Sequence, residues 1–536
     1  MKLLKLTNLV LFVALAFALI GCGSKENPPA NTEPPKADDL IQNLEFNEDG
    51  SFNVDYLENV QLNVWSVIGN PDKTAWINLI NEFNIQYSGI IQINLISQPH
   101  ESYYNSLDNT YVNNYADFPD MCIMHNEKNV EYASKGYFYA LDELIEATKI
   151  DYSFDNAYEN IIRTTIYNGK HYGVPIDAHG YLTNIRQDII KKNELGFENN
   201  TRFIPQNYTE YQTLLEGLKE KADDGSLWVR NIATEQDHSW YKISEGNPNL
   251  KDDVVVTQEN FAPAFFFLPE SEILTSLYVN GGTLLDENGS VNFHNNTAFV
   301  KFLTDMIDRK NAGLYGDPGT KDFVFPFGKT VMFPEGPWWV ANSYDGLWNN
   351  KQLKEAGKLG VTEEDANDPI YSEPYTVSRA RWFAQEGAPA ELANKWYGNG
   401  HVITLTNKIK DMQKVAGALV FAQWLTQGKA RDGVYNLAKW SAAGHLPAWR
   451  NVYESEGYKN IAKDSMTLKA LGDPADIIAL ESTEFATLLT TGIVGASGDV
   501  HAALLDVNGC THEQARQILL EKANLTQETI DMILSS

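Results

Sequence analysis

The sequence predicts an α/β fold divided into more than one lobe, and three observations predict it. The folded part opens strand, helix, strand. Helices with a single apolar face dominate its later half. About 480 residues follow an N-terminal leader and linker, which is more than one hydrophobic core organises. Val60-Gln61-Leu62-Asn63-Val64 alternates apolar and polar residues, as a half-buried strand does. Trp76, Leu79, Ile80, Phe83 and Tyr87 then recur at helical spacing. Ile91-Gln92-Ile93-Asn94-Leu95 alternates again, and strand-helix-strand order implies a parallel pair. Asp120 to Met124 is the next buried strand. Farther on, Phe299, Phe302, Leu303 and Met306 share one helical face, as do Val415, Ala418, Leu419, Ala422 and Leu425, with Asp411 placed to cap the second helix. Thr511-His512-Glu513-Gln514 has the pattern of a capping box before Ile518 and Leu519. Glu363 to Glu391 is acidic, Pro- and Ala-rich and aperiodic, and is predicted as a loop or insertion.

The N-terminus is read as a targeting segment. Lys2 and Lys5 precede an apolar run from Leu9 to Ile20, too short to span a bilayer comfortably and suited to a signal-peptide core. The run ends in Leu19-Ile20-Gly21-Cys22, which resembles a bacterial lipobox, in which the cysteine becomes the lipidated first residue. An ordinary secretory signal with a chance cysteine is the alternative. Residues 1–22 are therefore expected to be a lipoprotein signal peptide, with Cys22 carrying two acyl chains, enough for stable anchoring where one is marginal. Residues 23–58 are expected to be a flexible tether, since Pro, Asn, Lys and Glu dominate its first part.

Net charge is −29, with 71 acidic against 42 basic residues, which argues against nucleic acid and anionic lipid surfaces as partners. After Cys22 only Cys122 and Cys510 remain, far apart in sequence, and they are expected to be isolated buried thiols rather than a disulfide. The 12 Trp and 26 Tyr are a generous supply; many must be core, and stacking on the apolar C–H faces of pyranose rings is one use for the rest. No Gly-rich phosphate loop, Cys-X-X-Cys, His-Glu-X-X-His or Gly-X-Ser-X-Gly occurs. The ten His are scattered, so neither a dedicated metal site nor a cofactor is expected. Asp286-Glu287-Asn288-Gly289 resembles part of a calcium loop but lacks the later Glu, and reads as a turn.

A set of ordered landmarks gives the chain a family resemblance over about residues 60 to 500. They begin with Val64-Trp65, Pro119-Asp120-Met121, Tyr132-Ala133-Ser134-Lys135-Gly136 and Leu141-Asp142-Glu143-Leu144. Gly169-Lys170-His171-Tyr172-Gly173-Val174-Pro175 follows, with Leu182-Thr183-Asn184 where Tyr-Asn would stand. Met332-Phe333-Pro334-Glu335-Gly336-Pro337-Trp338, Val402-Ile403-Thr404 and Gly444-His445-Leu446-Pro447-Ala448 complete the series. Each is weak alone. In this order they resemble the carbohydrate-binding branch of the extracellular solute-binding proteins, the maltose-binding-protein-like group, here with extra length around residues 225–260 and 345–395.

The resemblance implies a type II periplasmic-binding-protein-like fold. Two discontinuous α/β lobes are joined by a multi-segment hinge, with the ligand between them. By it, residues 59–176 and 396–447 form the N-terminal lobe, and residues 177–395 and 448–536 the C-terminal lobe. It also implies a monomer that binds a carbohydrate and hands it to the transmembrane subunits of an ABC permease without covalent chemistry; the long insertions and the aromatic supply point to an oligosaccharide over a monosaccharide. Trp65 ends the first strand, where stacking or core packing are both open. His125 and Asn126 follow a buried strand at its carboxyl end, where open α/β sheets bind ligands. Asp177 and His179 follow the hinge Pro175, and a carboxylate there accepts two sugar hydroxyls or a hinge hydrogen bond. Glu335 and Trp338 follow from the Gly-Pro-Trp landmark, with Trp339 facing the other way. Trp382 and Trp440 are further aromatic candidates. Two alternatives stay open: a lipid-anchored glycoside hydrolase with paired carboxylates, and a helical surface lipoprotein that holds polysaccharide.

Overall fold

A computed structural model describes residues 35–70, 72–265, 269–317, 321–337, 350–478, 483–505 and 509–535. The signal segment with Cys22, and Trp338 with Trp339, lie outside the described residues.

Two five-stranded sheets form separate lobes. The first begins with β1 (Val60–Ser66), α1 (Lys73–Gln86) and β2 (Ile91–Ser97). β1 buries Val60, Leu62 and Val64 and leaves Gln61 and Asn63 exposed, so its alternation maps directly onto two faces. α1 turns Trp76, Leu79, Ile80 and Phe83 inward and delivers the chain to β2, parallel to β1 in register Val60–Ile91 to Ser66–Ser97. β3 (Met121–His125) lies parallel on the other side of β1. The chain leaves this sheet through β4 (Val174–Pro175), passes β5 (Asp177–Ala178) and enters the second sheet as β6 (Leu182–Ile185). There β7 (Ala262–Phe265), β8 (Tyr315–Gly316), β9 (Thr330–Glu335) and β10 (Thr376–Ser378) give the order β8-β7-β9-β6-β10. The chain then returns to the first sheet as β11 (His401–Leu405), antiparallel between β3 and β4. β12 (Leu446–Pro447) pairs with β5 at the boundary.

Helix capping follows the sequence. Asp411 caps α2 (Met412–Thr426) by accepting from the Lys414 N–H, and Thr511 and Gln514 exchange bonds at the start of α4 (His512–Ser535). α3 (Ala486–Leu505) is long and apolar enough to span a membrane by composition. It instead buries Leu489, Ile493 and Val500 in the second core, against α4. Cys122 and Cys510 are separate buried thiols.

Two expected boundaries and one predicted loop differ. The tether is shorter than residues 23–58, because Leu40 and Leu57 pack into the first core and the Ile41 N–H bonds the Lys410 carbonyl. Residues after 447 do not move at once to the second lobe. Trp449 and Val452 fill the first core, and the Trp449 indole donates to the Pro175 carbonyl at 2.7 Å. The helix Met466–Leu471 packs against β6 and β10, Ile478 lies against the second core, and from Ala486 the chain is part of that core. The stretch 363–391, predicted as irregular, carries short helices at Glu363–Asn367 and Pro369–Ser372 and the edge strand β10.

Candidate functional site

The site is built where the lobe-crossing segments touch. β5 and β12 pair, with Pro447 opposite Asp177. Two residues after Asp177, His179 and Asn399 exchange both backbone hydrogen bonds at 2.8 Å. This junction demands glycine. A Cβ on Gly400 would stand 2.1 Å from the Asp177 carbonyl oxygen, and one on Gly180 would meet the Trp396 ring at 2.4 Å.

Asp177 is fully buried at this junction, so its carboxylate must be satisfied by protein. Oδ1 accepts from the His401 backbone N–H at 3.1 Å and faces His179 Nδ1 at 3.2 Å. Oδ2 faces His401 Nδ1 at 2.8 Å and accepts from the Trp440 indole N–H at 2.5 Å. Burial alone would raise this carboxyl, but the charges of His401 and His445 outweigh it and hold it well below the usual carboxylate range. His445 Nδ1 lies 3.1 Å from His179 Nδ1, and His445 Nε2 lies 3.1 Å from Asp72 Oδ2. Burial pulls His445 down, yet Asp177 and Asp72 together raise it. Burial lowers His179 to about 4 and puts His125 well below the ordinary imidazole range.

Above this network lies a cavity of about 500 Å³, within the usual span of small-molecule sites. Half of the chain's ten histidines line it: His100, His125, His179, His401 and His445. Both lobes contribute the rest. Asp72 and Glu127 come from the first, Tyr181 and Glu270 from the second, and Tyr397 and Asn399 from a crossing segment. Burial raises Glu127, and burial with the nearby Glu127 charge raises Glu270 to about 7. The cleft therefore offers acceptors, imidazole edges and two tyrosine rings.

The predicted residues divide. His125 and His179 line the cleft, and Asp177 forms the layer beneath it. Asn126 is buried beside the hinge, its N–H bonding the Gly400 carbonyl. Glu335 is buried at the end of β9, with its charge felt at Tyr181. Trp65 packs in a small aromatic core of the first lobe, and the Tyr103 hydroxyl reaches its carbonyl at 3.4 Å. Trp382 stacks on Tyr211 in the second core, ring centroids 4.9 Å apart. Trp440 is fully buried, stacked on His445 with centroids 4.7 Å apart. Among the described residues these three tryptophans support the lobes or the hinge and do not face the cavity. Trp338 lies outside the described residues. His100, His401, His445, Glu127 and Glu270 escaped the sequence reading. Asp177-X-His179 was the available signal, since spacing of two puts both side chains on one face of a strand.

Trp382 also borders a small internal cavity of about 30 Å³ with Glu272 and Tyr211. Burial raises Glu272 to about 8, so the native state keeps a proton that the unfolded chain releases near its ordinary range. The stability gained is full below about pH 4.5 and is lost as pH rises through about 8. Tyr211 and Tyr181 feel the Glu272 charge, and both are raised by burial, so they stay neutral in this window. Glu272→Gln should therefore gain on the parent by up to about 1.4 kcal/mol per pH unit across pH 5 to 8 in urea unfolding. A difference between the two proteins that does not vary with pH would refute the buried neutral acid.

The decisive comparison is of sequence. The family model for bacterial extracellular solute-binding proteins matches residues 78–464. The chain belongs to this family. No curated protein matches it. Among solved structures, the solute-binding protein is similar to the GacH receptor of Streptomyces glaucescens, described unliganded and with acarbose. Identity is 14%, the TM-score is 0.60, and the match covers 88% of this chain and 99% of that one. It is similar to Lmo0181 from Listeria monocytogenes, in complex with cycloalternan, at 14% identity and TM-score 0.59, over 88% and 100% of the two chains. The sugar-binding protein MalE from Xanthomonas citri matches at 15% identity and TM-score 0.59, over 89% and 100%. At these identities the likeness is one of fold: two lobes, two sheets and a cleft between them.

Proposed function

We propose that this solute-binding protein is the substrate-binding lipoprotein of an ABC importer, and that it takes a carbohydrate, specifically an oligosaccharide, between its lobes. The observation that carries the reading is a cleft lined from both lobes and from the crossing segments at once. A solute that touches both lobes has more contact in the closed form, and favours closure by that difference. The permease then recognises occupancy by docking on both lobes. The lining supports a sugar in particular. Asp72, Glu127, Glu270 and Asn399 supply hydrogen-bond partners for hydroxyls, while Tyr181 and Tyr397 supply ring faces for apolar C–H surfaces. Similarity to proteins described with acarbose and cycloalternan supports the same choice. None of this requires turnover. Lipidation at Cys22 would hold the protein on the extracytoplasmic face of the membrane.

The test is thermal unfolding of the full-length protein in detergent with a panel of mono- and oligosaccharides. A sugar at 100 times its Kd stabilises by about 2.7 kcal/mol, a readable shift. If no sugar shifts the midpoint while another solute does, the carbohydrate reading fails. Release of sugar fragments would point instead to a hydrolase. In the same host, Cys22→Ser should move the protein from the membrane to the soluble fraction, and retention would refute the anchor.

A further inference from the structure

We propose that Asp177, His179, His401 and His445 bind a divalent transition-metal ion, best matched by Zn²⁺, at the floor of the cleft. One donor atom from each of these four buried residues lies within 4.8 Å of all the others. His179 Nδ1 is 3.2 Å from Asp177 Oδ1 and 3.1 Å from His445 Nδ1. His401 Nδ1 is 2.8 Å and His445 Nδ1 3.8 Å from Asp177 Oδ2. A tetrahedral Zn²⁺ with ligands at about 2.0–2.1 Å sets those ligands roughly 3.3 Å from one another. Three of these separations, at 2.8, 3.1 and 3.2 Å, lie near that edge length, and side-chain rotations that bring in the remaining ones, up to 4.8 Å, would complete the site.

Proton bookkeeping favours an ion over hydrogen bonds alone. His179 Nδ1 carries at most one hydrogen, yet stands within hydrogen-bond reach of both Asp177 Oδ1 and His445 Nδ1. An ion uses lone pairs on all of these atoms at once. The outer shell is also in place. His445 turns Nε2 to the Asp72 carboxylate at 3.1 Å, and a hydrogen on that atom leaves the Nδ1 lone pair pointing into the cluster. The Asp177 carboxylate is held from behind by the Trp440 N–H and the His401 backbone N–H. Three imidazoles with one carboxylate suit zinc among the first-row ions.

The ligands come from three separate stretches: Asp177 and His179 from the first crossing, His401 from the return strand, and His445 from the turn before β12. A bound ion would tie these stretches together. Because the three histidines also line the cavity, the ion would lie beside the solute with its four positions filled by protein. The inference goes beyond the carbohydrate reading and holds whichever solute the cleft takes.

The test strips full-length protein in detergent with chelator, returns Zn²⁺ and removes the excess by desalting, without sugar. Zn²⁺ should be retained at one ion per chain. Ala at His179, His401 or His445 should weaken Zn²⁺ binding at least about 100-fold, and Asp72→Asn about 10- to 100-fold. His171→Ala and His512→Ala, whose imidazoles pair with Asp142 and Asp308 elsewhere, should bind as the parent does. No retained zinc, or equal retention after His179→Ala and His401→Ala, would overturn the site. Should those variants fail to fold, Co²⁺ bound to the parent decides. Tetrahedral visible bands and three imidazole ligands by X-ray absorption support the site, and octahedral, imidazole-poor Co²⁺ overturns it.

Discussion

Asp188→Ala should destabilise the second lobe by about 3–5 kcal/mol, the cost of leaving buried charges without their partner. Asp188, Arg186 and Arg230 are all fully buried. Arg186 donates Nε and Nη2 to the two oxygens of Asp188, each at 2.9 Å, and Arg230 Nε donates to Oδ2 at 2.9 Å. One carboxylate thus serves two guanidiniums. Burial would raise its pKa, but the two arginines outweigh that and lower it, so it stays ionised in the native state. Arg186 Nη1 and Nη2 also reach the carbonyls of Phe325 and Arg230, and Arg230 Nη2 reaches that of Tyr371, while Arg230 Nη1 is buried without a hydrogen-bond partner among the described residues. The cluster therefore stitches the extra lengths near 225–260 and 345–395 onto the second sheet. Alanine would leave two cations in a dry site, whereas Asp188→Asn keeps the shape and one set of acceptors and should cost less. The measurement is urea unfolding followed by circular dichroism. A two-lobed chain need not unfold in one step, so the m-value must be compared with the parent. A loss under about 1 kcal/mol for Asp188→Ala would refute the shared-carboxylate account. Solute affinity, measured where the protein is folded, should hold, since the cluster is absent from the cleft lining.

What was legible in the sequence was what repeats locally. Alternation in Val60–Val64 and Ile91–Leu95 became two strands of one parallel pair, because a period of two has one structural meaning. Asp411 and Thr511 became caps because capping chemistry is local. The cleft was only partly legible because it is assembled from chain ends of distant elements. His125 and His401 are neighbours across β3 and β11, with nothing in their spacing to announce it. Burial, which sequence does not print, also decided the fate of the tryptophans. Trp65 and Trp382 are as apolar and flat as any sugar platform, but each sits where a core needed filling. Polar residues misled in the other direction. The histidines looked scattered by number and are concentrated in space, because the crossing segments bring residues 179, 401 and 445 to one point.

Trp440 is the position at which a ligand-stacking role and a supporting role make opposite predictions. Its ring is fully buried between the edge of Trp76, centroids 5.4 Å apart, and the face of His445. Its N–H bonds the ionised Asp177. Trp440→Ala should cost about 3–5 kcal/mol, as emptying a large aromatic site does. Trp440→Phe keeps most of the packing and loses a hydrogen bond to a charged acceptor, which should cost about 1.5–3 kcal/mol. If the ring were a sugar platform, Phe would preserve stability and alter affinity. As a support, it does the reverse. Stability falls, while affinity at a temperature where the variant is folded changes less than about tenfold, because the His401 N–H and Nδ1 still orient Asp177. Urea unfolding and ligand titration on the same Trp440→Phe preparation separate the two. Unchanged stability with a large loss of affinity would return Trp440 to the cleft wall. The reverse pattern places it beneath the hinge, where it fixes the carboxylate on which the three histidines converge.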